Sequence, residues 1–208
     1  MGRFERKEKN QRVREILDAG FAVFLEKGYR NTTMEDVIAR TSLSKGGFYH
    51  YFQSTEQILI ALMEKETEDA IAWQFADLKG TTAETFSERM AKVMVKRILR
   101  ENPGKNLFAM FLLEMVYNPS LWERYRTIER DSMAEIAKRY SGEIPLISEV
   151  MADNRFLGFM RLVAGLIITC RIFPGKDVPA RQAEYLEPML RGMLEDIVRD
   201  SVPRSSTA

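Results

Sequence analysis

Residues 32–59, TTMEDVIARTSLSKGGFYHYFQSTEQIL, leave few folds open, because three helix starts crowd into one short stretch. Thr32-x-x-Glu35 fits a capping box ahead of Met34, Val37 and Ile38, so a helix is expected from about Thr33 to near Arg40. Thr41-Ser42-Leu43 then reads as a turn, and Ser44 as the N-cap of a second segment from Lys45 to Phe52. Ser54-x-x-Gln57 is a further capping box, opening a longer helix with Ile58, Leu59, Leu62 and Met63 on one face.

The middle segment, KGGFYHYF, has an unusual composition for a helix. Each of its two adjacent glycines weakens a helix by roughly 1 kcal/mol relative to alanine. Helical spacing puts Phe48 and Phe52 on one side, with Leu43 beneath, and Gly46, Gly47, Tyr49 and His50 on the other. The phenylalanines can anchor the segment, while the glycines leave a nearly bare face that can approach another surface closely. A positive helix N-terminus, Lys45 and the hydroxyls of Tyr49 and Tyr51 suit that face to a phosphate backbone and a groove floor. This is the layout of a helix-turn-helix whose second helix enters the DNA major groove.

Over about residues 10–70 the chain resembles the DNA-binding domain of the TetR family of bacterial transcriptional regulators. The residues that carry the resemblance are Gly28-Tyr29, Thr32-Thr33, Leu43-Ser44-Lys45-Gly46, Phe48-Tyr49-His50-Tyr51-Phe52 and Ser54-x-Glu56. Two positions depart from the family pattern. Ser42 stands where the family usually has a turn glycine, and Thr55 where it commonly has a lysine that reaches a phosphate, a charge-assisted contact that threonine cannot supply. The expected DNA contacts are Lys45, Gly46, Gly47, Tyr49, His50, Tyr51 and Thr55, with Thr33 a cap close enough to reach phosphate.

A chain of 208 residues with 45% hydrophobic and 29% charged content can bury one small and one larger core, and the expected class is all-α. The expected domains are 10–70, carrying a helix-turn-helix at about 33–52; 71–200, helical; and a disordered tail over 201–208. Net charge is only +1, so nucleic-acid binding rests on local charge; the arm with Arg3, Arg6, Lys7, Lys9, Arg12 and Arg14 is locally basic, which suits either phosphate contact or a solvated, frayed terminus. A single cysteine, Cys170, and a single histidine, His50, make a metal site, a disulfide framework or a Ser-His-Asp triad unexpected. No enzymatic activity and no cofactor are expected. An N-terminus without an apolar run reads as lacking a signal peptide, which implies a cytoplasmic protein with no membrane partner.

The first helix is expected over about Gln11–Lys27, from Val13, Ile16, Leu17, Gly20, Phe21 and Phe24, and Gly28 as its left-handed C-cap. After a fourth helix from Thr55 to about Phe75, helices are expected over about 83–101, 105–117, 120–140, 147–173 and 181–200. The breaks between them are Asn102-Pro103-Gly104, Asn118-Pro119, Ser141-Gly142 with Pro145, and Pro174-Gly175. Pro188 either kinks the last helix or marks its first turn.

Two parts of the second domain carry functional hints. Gly158, Ala164 and Gly165 permit close helix approach, and with Tyr185, Met189, Met193 and Ile197 they could form a homodimer interface. Periodicity leaves that interface and an ordinary core helix both open; the resemblance implies dimerisation through the last two long helices. The second hint is an apolar set consisting of Met110, Phe111, Met115, Tyr117, Trp122, Phe156, Phe159 and Met160, which suits either a core or an adaptable small-molecule pocket. Glu114 is the one charge in its stretch, and its expected partner is Arg161, Arg171 or a cationic or hydroxyl-bearing ligand. The resemblance implies a homodimeric repressor that a small, largely apolar ligand releases from a palindromic operator. An effector-independent regulator or activator, and a helical small-molecule carrier, are the alternatives.

Overall fold

A computed structural model of the protein describes residues 3–172 and 178–201, with side chains over 8–170 and 183–200. The expected break at Pro174-Gly175, the tail beyond Ser201, and the side chains of Arg3, Arg6, Lys7 and Arg171 lie outside the described residues, while Ser201, expected in the tail, ends α10. Among those described are ten α-helices and no strand. They are α1 (Arg3–Lys27), α2 (Met34–Ile38), α3 (Lys45–Tyr49), α4 (Thr55–Ala76), α5 (Phe86–Leu99), α6 (Gly104–Met115), α7 (Pro119–Tyr140), α8 (Ile147–Ala152), α9 (Asn154–Ile172) and α10 (Val178–Ser201). None of the helices is long and apolar enough, within the described residues, to cross a membrane.

The chain forms two compact units, residues 1–67 with 103–126, and 68–102 with 127–208. The sequence places 105–117 in the second domain, whereas α6 and the start of α7 cluster with the N-terminal helices. The cause is apolar cover. Ile16, Val23, Phe24, Val37, Phe48, Ile58 and Leu59 form a core too small to close on itself, and Leu107, Phe111 and Leu121 complete it. Periodicity identifies an apolar face but not the unit that buries it.

Local chemistry sets the ends of the first helices. α1 runs back to Arg3 rather than starting near Gln11. At Gly20 an added Cβ would lie 2.6 Å from Ile58 Cγ2, so the glycine sets the close approach of α1 to α4. Gly28 has φ 77° and ψ 156°, a positive-φ extended conformation open chiefly to glycine, rather than the left-handed helical cap expected. Tyr29 then folds back edge-on to Phe24 with ring centroids 5.5 Å apart.

The capping box of α2 lies one residue later than expected. The Thr32 hydroxyl is already committed, donating to the Gly28 carbonyl at 2.9 Å. Thr33 is therefore the cap: its hydroxyl accepts from the Asp36 N–H, and the Asp36 carboxylate accepts from the Thr33 N–H at 2.9 Å. The Lys27 ammonium, followed by the Thr33 donors, holds the Asp36 carboxyl at about 2. A depressed carboxyl stabilises the fold fully above the ordinary carboxylate range, near about 4, and loses that contribution as pH falls through its folded value. Asp36→Asn should therefore lower the urea midpoint at neutral pH, with a deficit that shrinks below pH about 4 and vanishes near about 2. A deficit independent of pH would refute this.

In the second unit α5 packs against α9 and α10, and α8 packs against both of those. Buried faces recur at helical spacing: Met90, Met94 and Ile98 on α5; Phe156, Phe159, Val163 and Ile167 on α9; Leu186, Leu190, Leu194 and Ile197 on α10. The single helix expected over 147–173 is two, because Asp153 starts a new one: its carboxylate accepts from the Arg155 N–H at 2.7 Å. Pro188 lies in the interior of α10 rather than in its first turn.

Candidate nucleic-acid interface

α3 is short, with five residues, and is positioned from both ends. Ser44 caps it, its hydroxyl accepting from the Gly47 N–H at 3.2 Å. Phe48 is fully buried and Phe52 nearly so, which ties α3 to α1, α2 and α4 through a shared core. The helix ends at Tyr49, three residues before the expected end, and His50 is its C-cap.

The turn leading into α3 is pinned by α1. The Ser42 N–H donates to the Glu15 carboxylate, and Arg12 donates to the Ser42 hydroxyl at 3.2 Å. The backbone hydrogen bond from Ser42 is the leading reason that the Glu15 carboxyl lies below its ordinary range. The sequence places Arg12 in the basic arm and gives Glu15 no role, and their hold on the turn escapes local motifs because their partner is about thirty positions away. They show how serine serves where the family pattern has a turn glycine.

The outward face of α3 is open. A Cβ on Gly46 would meet nothing within 4 Å, and one on Gly47 would meet only the capping Ser44 Oγ, at 3.3 Å. Lys45 and His50 are exposed, while Tyr49 and Tyr51 are half-buried. His50 stands edge-on to Tyr51 at 5.3 Å, and Lys45 Nζ lies 5.9 Å from the Tyr49 ring. Lys45 is paired with Glu35 at 2.9 Å, which raises the lysine pKa and lowers that of the carboxyl. Glu35 is free for this role because Asp36, not Glu35, completes the cap of α2.

Of the other two expected DNA contacts, Thr33 is exposed and Thr55 half-buried. Thr33 is the cap of α2. The Thr55 hydroxyl bonds the Tyr29 phenol, whose pKa burial pushes up. Next to Thr55 in the chain, the Glu56 carboxylate accepts from Asn118 Nδ2 at 2.8 Å and from the Ser120 hydroxyl at 3.1 Å.

The other expected site residues are divided between the units. Met110, Phe111, Glu114, Met115, Tyr117 and Trp122 belong to the first unit, and Phe156, Phe159 and Met160 to the second. Phe111 is core, tilted against Tyr125 at 6.1 Å. Glu114 pairs with Arg30 at 2.7 Å rather than with Arg161, which pairs with Glu129 at 3.0 Å. Arg30 also lies 4.5 Å over the Tyr117 ring. Of the expected interface set, Gly158, Gly165, Tyr185 and Met189 are exposed, Ala164 and Met193 half-buried, and Ile197 faces the core instead. Cys170 is half-buried.

A capped two-helix unit with a buried aromatic anchor and a bare, lysine-flanked outer face defines a helix-turn-helix DNA-binding domain. Residues 16–62 match the family described as bacterial regulatory proteins, tetR family. It is 38% identical over 66 residues to the uncharacterised HTH-type transcriptional regulator YfiR of Bacillus subtilis, a match covering 32% of each chain. With the fatty acid metabolism regulator protein of the same organism it shares 27% identity over 135 residues, 64% of each chain. The chain thus matches less than two thirds of the length of either relative. The structure of Salmonella enterica GusR has the same fold, with TM-score 0.66 and 20% identity over 91% of this chain and 96% of that one.

Proposed function

We propose that the protein is a cytoplasmic, homodimeric transcriptional repressor that binds a palindromic operator and is released by a small, largely apolar ligand held in its second unit. The surface of α3 carries the reading: no side chain covers Gly46, and Lys45 and His50 flank it in solvent. Two such helices related by a dyad, roughly 34–36 Å apart, fit successive major grooves. On docking, Lys45 exchanges Glu35 for a phosphate oxygen. Gly46, Gly47, Tyr49, His50 and Tyr51 follow the groove, and Thr33 lies near the backbone.

The pairing surface suggested is on α9 and α10. Gly158, Leu162, Gly165 and Thr169 form an exposed stripe on α9, with open space beside both glycines. Tyr185, Met189 and Gly192 form another on α10. Small residues in the first stripe and large apolar ones in the second suit close packing against a second copy. A ligand shifts such a dimer only as far as its affinities for two conformations differ, and α4 and α7, which contribute to both units, are covalent routes between them.

Fluorescence anisotropy of the whole protein on DNA flanking its own gene, against scrambled DNA of equal length at two salt concentrations, tests the reading. Selective binding that weakens with salt is expected; equal binding to both DNAs at every salt would sink it. Lys45→Ala should weaken binding to all sequences and reduce the slope of log affinity against log salt by about 1. An unchanged slope would remove Lys45 from the phosphate contacts.

A further inference from the structure

Both ends of the helix-turn-helix meet the corner where α6 passes into α7, within the same compact unit. At the entry, Arg30 Nε donates to the Glu114 carboxylate at 2.7 Å, and the guanidinium lies 4.5 Å over the Tyr117 ring. At the exit, the Glu56 carboxylate is held by Asn118 Nδ2 and the Ser120 hydroxyl. The corner is itself braced: the Asn118 N–H donates to the Glu114 carbonyl at 2.9 Å, and Asn118 Oδ1 accepts from the Ser120 N–H at 3.1 Å. The two ends also close on each other. Burial raises the pKa of the Tyr29 phenol, its hydrogen bond with Thr55 opposes the rise, and the Glu56 and Glu114 carboxylates both add to it, so entry and exit converge on one ring. Residues 30–56 therefore form a closed loop that carries α2 and α3, with residues 114–120 as its clasp.

An ion pair in open solvent holds little, but both carboxylates of the clasp are partly buried. The Glu114 side chain is 15% exposed, and its partner Arg30 is fixed by a carboxylate and a ring at once. Glu56 and Asn118 are half-buried, and a carboxylate that accepts from two donors makes charge-assisted, directional bonds. Direction is what the apolar core lacks. Burial of Phe48 and Phe52 anchors the inner side of α3 but is non-directional, whereas hydrogen bonds at both ends of the loop fix its orientation. Base contacts need hydrogen-bond geometry, about 2.7–3.2 Å, while phosphate attraction falls off slowly with distance. An error in orientation therefore costs selective binding more than non-selective binding.

We propose that Glu114 and Glu56 are positioning residues for DNA recognition: through Arg30 at one end and Asn118 and Ser120 at the other, they fix the angle at which α3 meets the groove. This rests on reading α3 as the groove-binding helix, and it assigns part of the sequence selectivity to residues away from the α3 surface.

The test is fluorescence anisotropy of the whole protein on the DNA flanking its own gene and on scrambled DNA of equal length, read as the ratio of the two affinities. Partial unfolding lowers both affinities in proportion and leaves the ratio alone, so the ratio separates position from stability. Arg30→Glu and Glu114→Arg should each lower it by about tenfold, the scale of one charge-assisted hydrogen bond, and the double swap should recover most of the loss. The two single changes shift net charge in opposite directions, so a loss common to both is not an effect of charge. Glu56→Ala should also lower the ratio by about tenfold, and Glu56→Gln, which keeps an acceptor, by less. Arg30→Gln alters a side chain that is 58% exposed, which keeps the unit folded, and should lower the ratio by about threefold or more. The proposal is overturned if any of these Arg30 or Glu114 changes leaves the ratio unaltered, or if the double swap is no better than either single change; an unchanged ratio in Glu56→Ala removes Glu56 from the clasp. The unsubstituted protein is measured first. Equal affinity for both DNAs there sinks the repressor reading and this one together, whereas a selective parent with unaltered variants sinks only this one.

Discussion

Phe48→Ala should destabilise the DNA-binding unit by about 3–5 kcal/mol, the cost of emptying a fully buried aromatic site. α3 has little else to hold it. It is five residues long, contains two glycines, and owes its start to the Ser44 cap. The Phe48 ring belongs to the same buried cluster as Phe24, Val37, Ile58 and Leu59, so its loss opens the centre of the unit as well as detaching α3. Against a typical domain stability of about 5–15 kcal/mol, a loss of this size leaves a large unfolded population. Urea unfolding should show the midpoint collapse, and DNA affinity should fall with it. Gly46→Ala is the matching control, since a methyl there meets nothing. It should leave the midpoint unchanged or slightly higher through helix propensity, and weaken DNA binding only through lost closeness of approach. If Phe48→Ala unfolds normally but fails on DNA, the side chain touches the duplex and the anchoring role is wrong.

Signals confined to a few neighbouring residues were the ones legible in the sequence. Ser44 and Ser54 each accept from the N–H three positions on, as their spacing indicates. Even locally there were two ways to err. Adjacent Thr32 and Thr33 both look like caps, and only the short turn after Gly28, which occupies Thr32, decides between them. Gln57 likewise completes its box by accepting from Gln53 rather than from Ser54. Asp153 resembles any surface acid until its bond to the Arg155 N–H shows that one long apolar helix is two.

What escaped the sequence was long-range. The partner of Glu114 is 84 positions away in Arg30, beyond any periodicity, and two closer-looking arginines in an apolar helix offered themselves instead. Arg12 reads as one charge of a basic arm and Glu15 as an acid without a role, yet together they hold the turn of the helix-turn-helix. The allegiance of α6 was hidden because an amphipathic helix advertises only that it has a face to bury. Gln74 shows in the sequence as a lone amide in an apolar run, but neither its burial nor its bond from Arg97, 23 positions on, is legible there.

The same ambiguity makes Phe111→Ala the most decisive substitution after Phe48→Ala. As a pocket residue Phe111 would lie against ligand, and its truncation would enlarge a cavity at modest cost while changing ligand affinity. The structure instead has it fully buried in the cluster that includes Phe24 and Phe48, with Tyr125 at 6.1 Å. Its removal should therefore cost about 3–5 kcal/mol, and the loss should fall on the N-terminal unit. Amide hydrogen exchange separates the two roles: protection should drop in α1 and in the first half of α4, far from Phe111 in sequence, as well as in α6. DNA affinity should decline in parallel, because α3 is anchored in the same cluster. Loss of protection limited to α6, with α1 and α4 unaffected, would return Phe111 to the pocket and leave the N-terminal core closed without it.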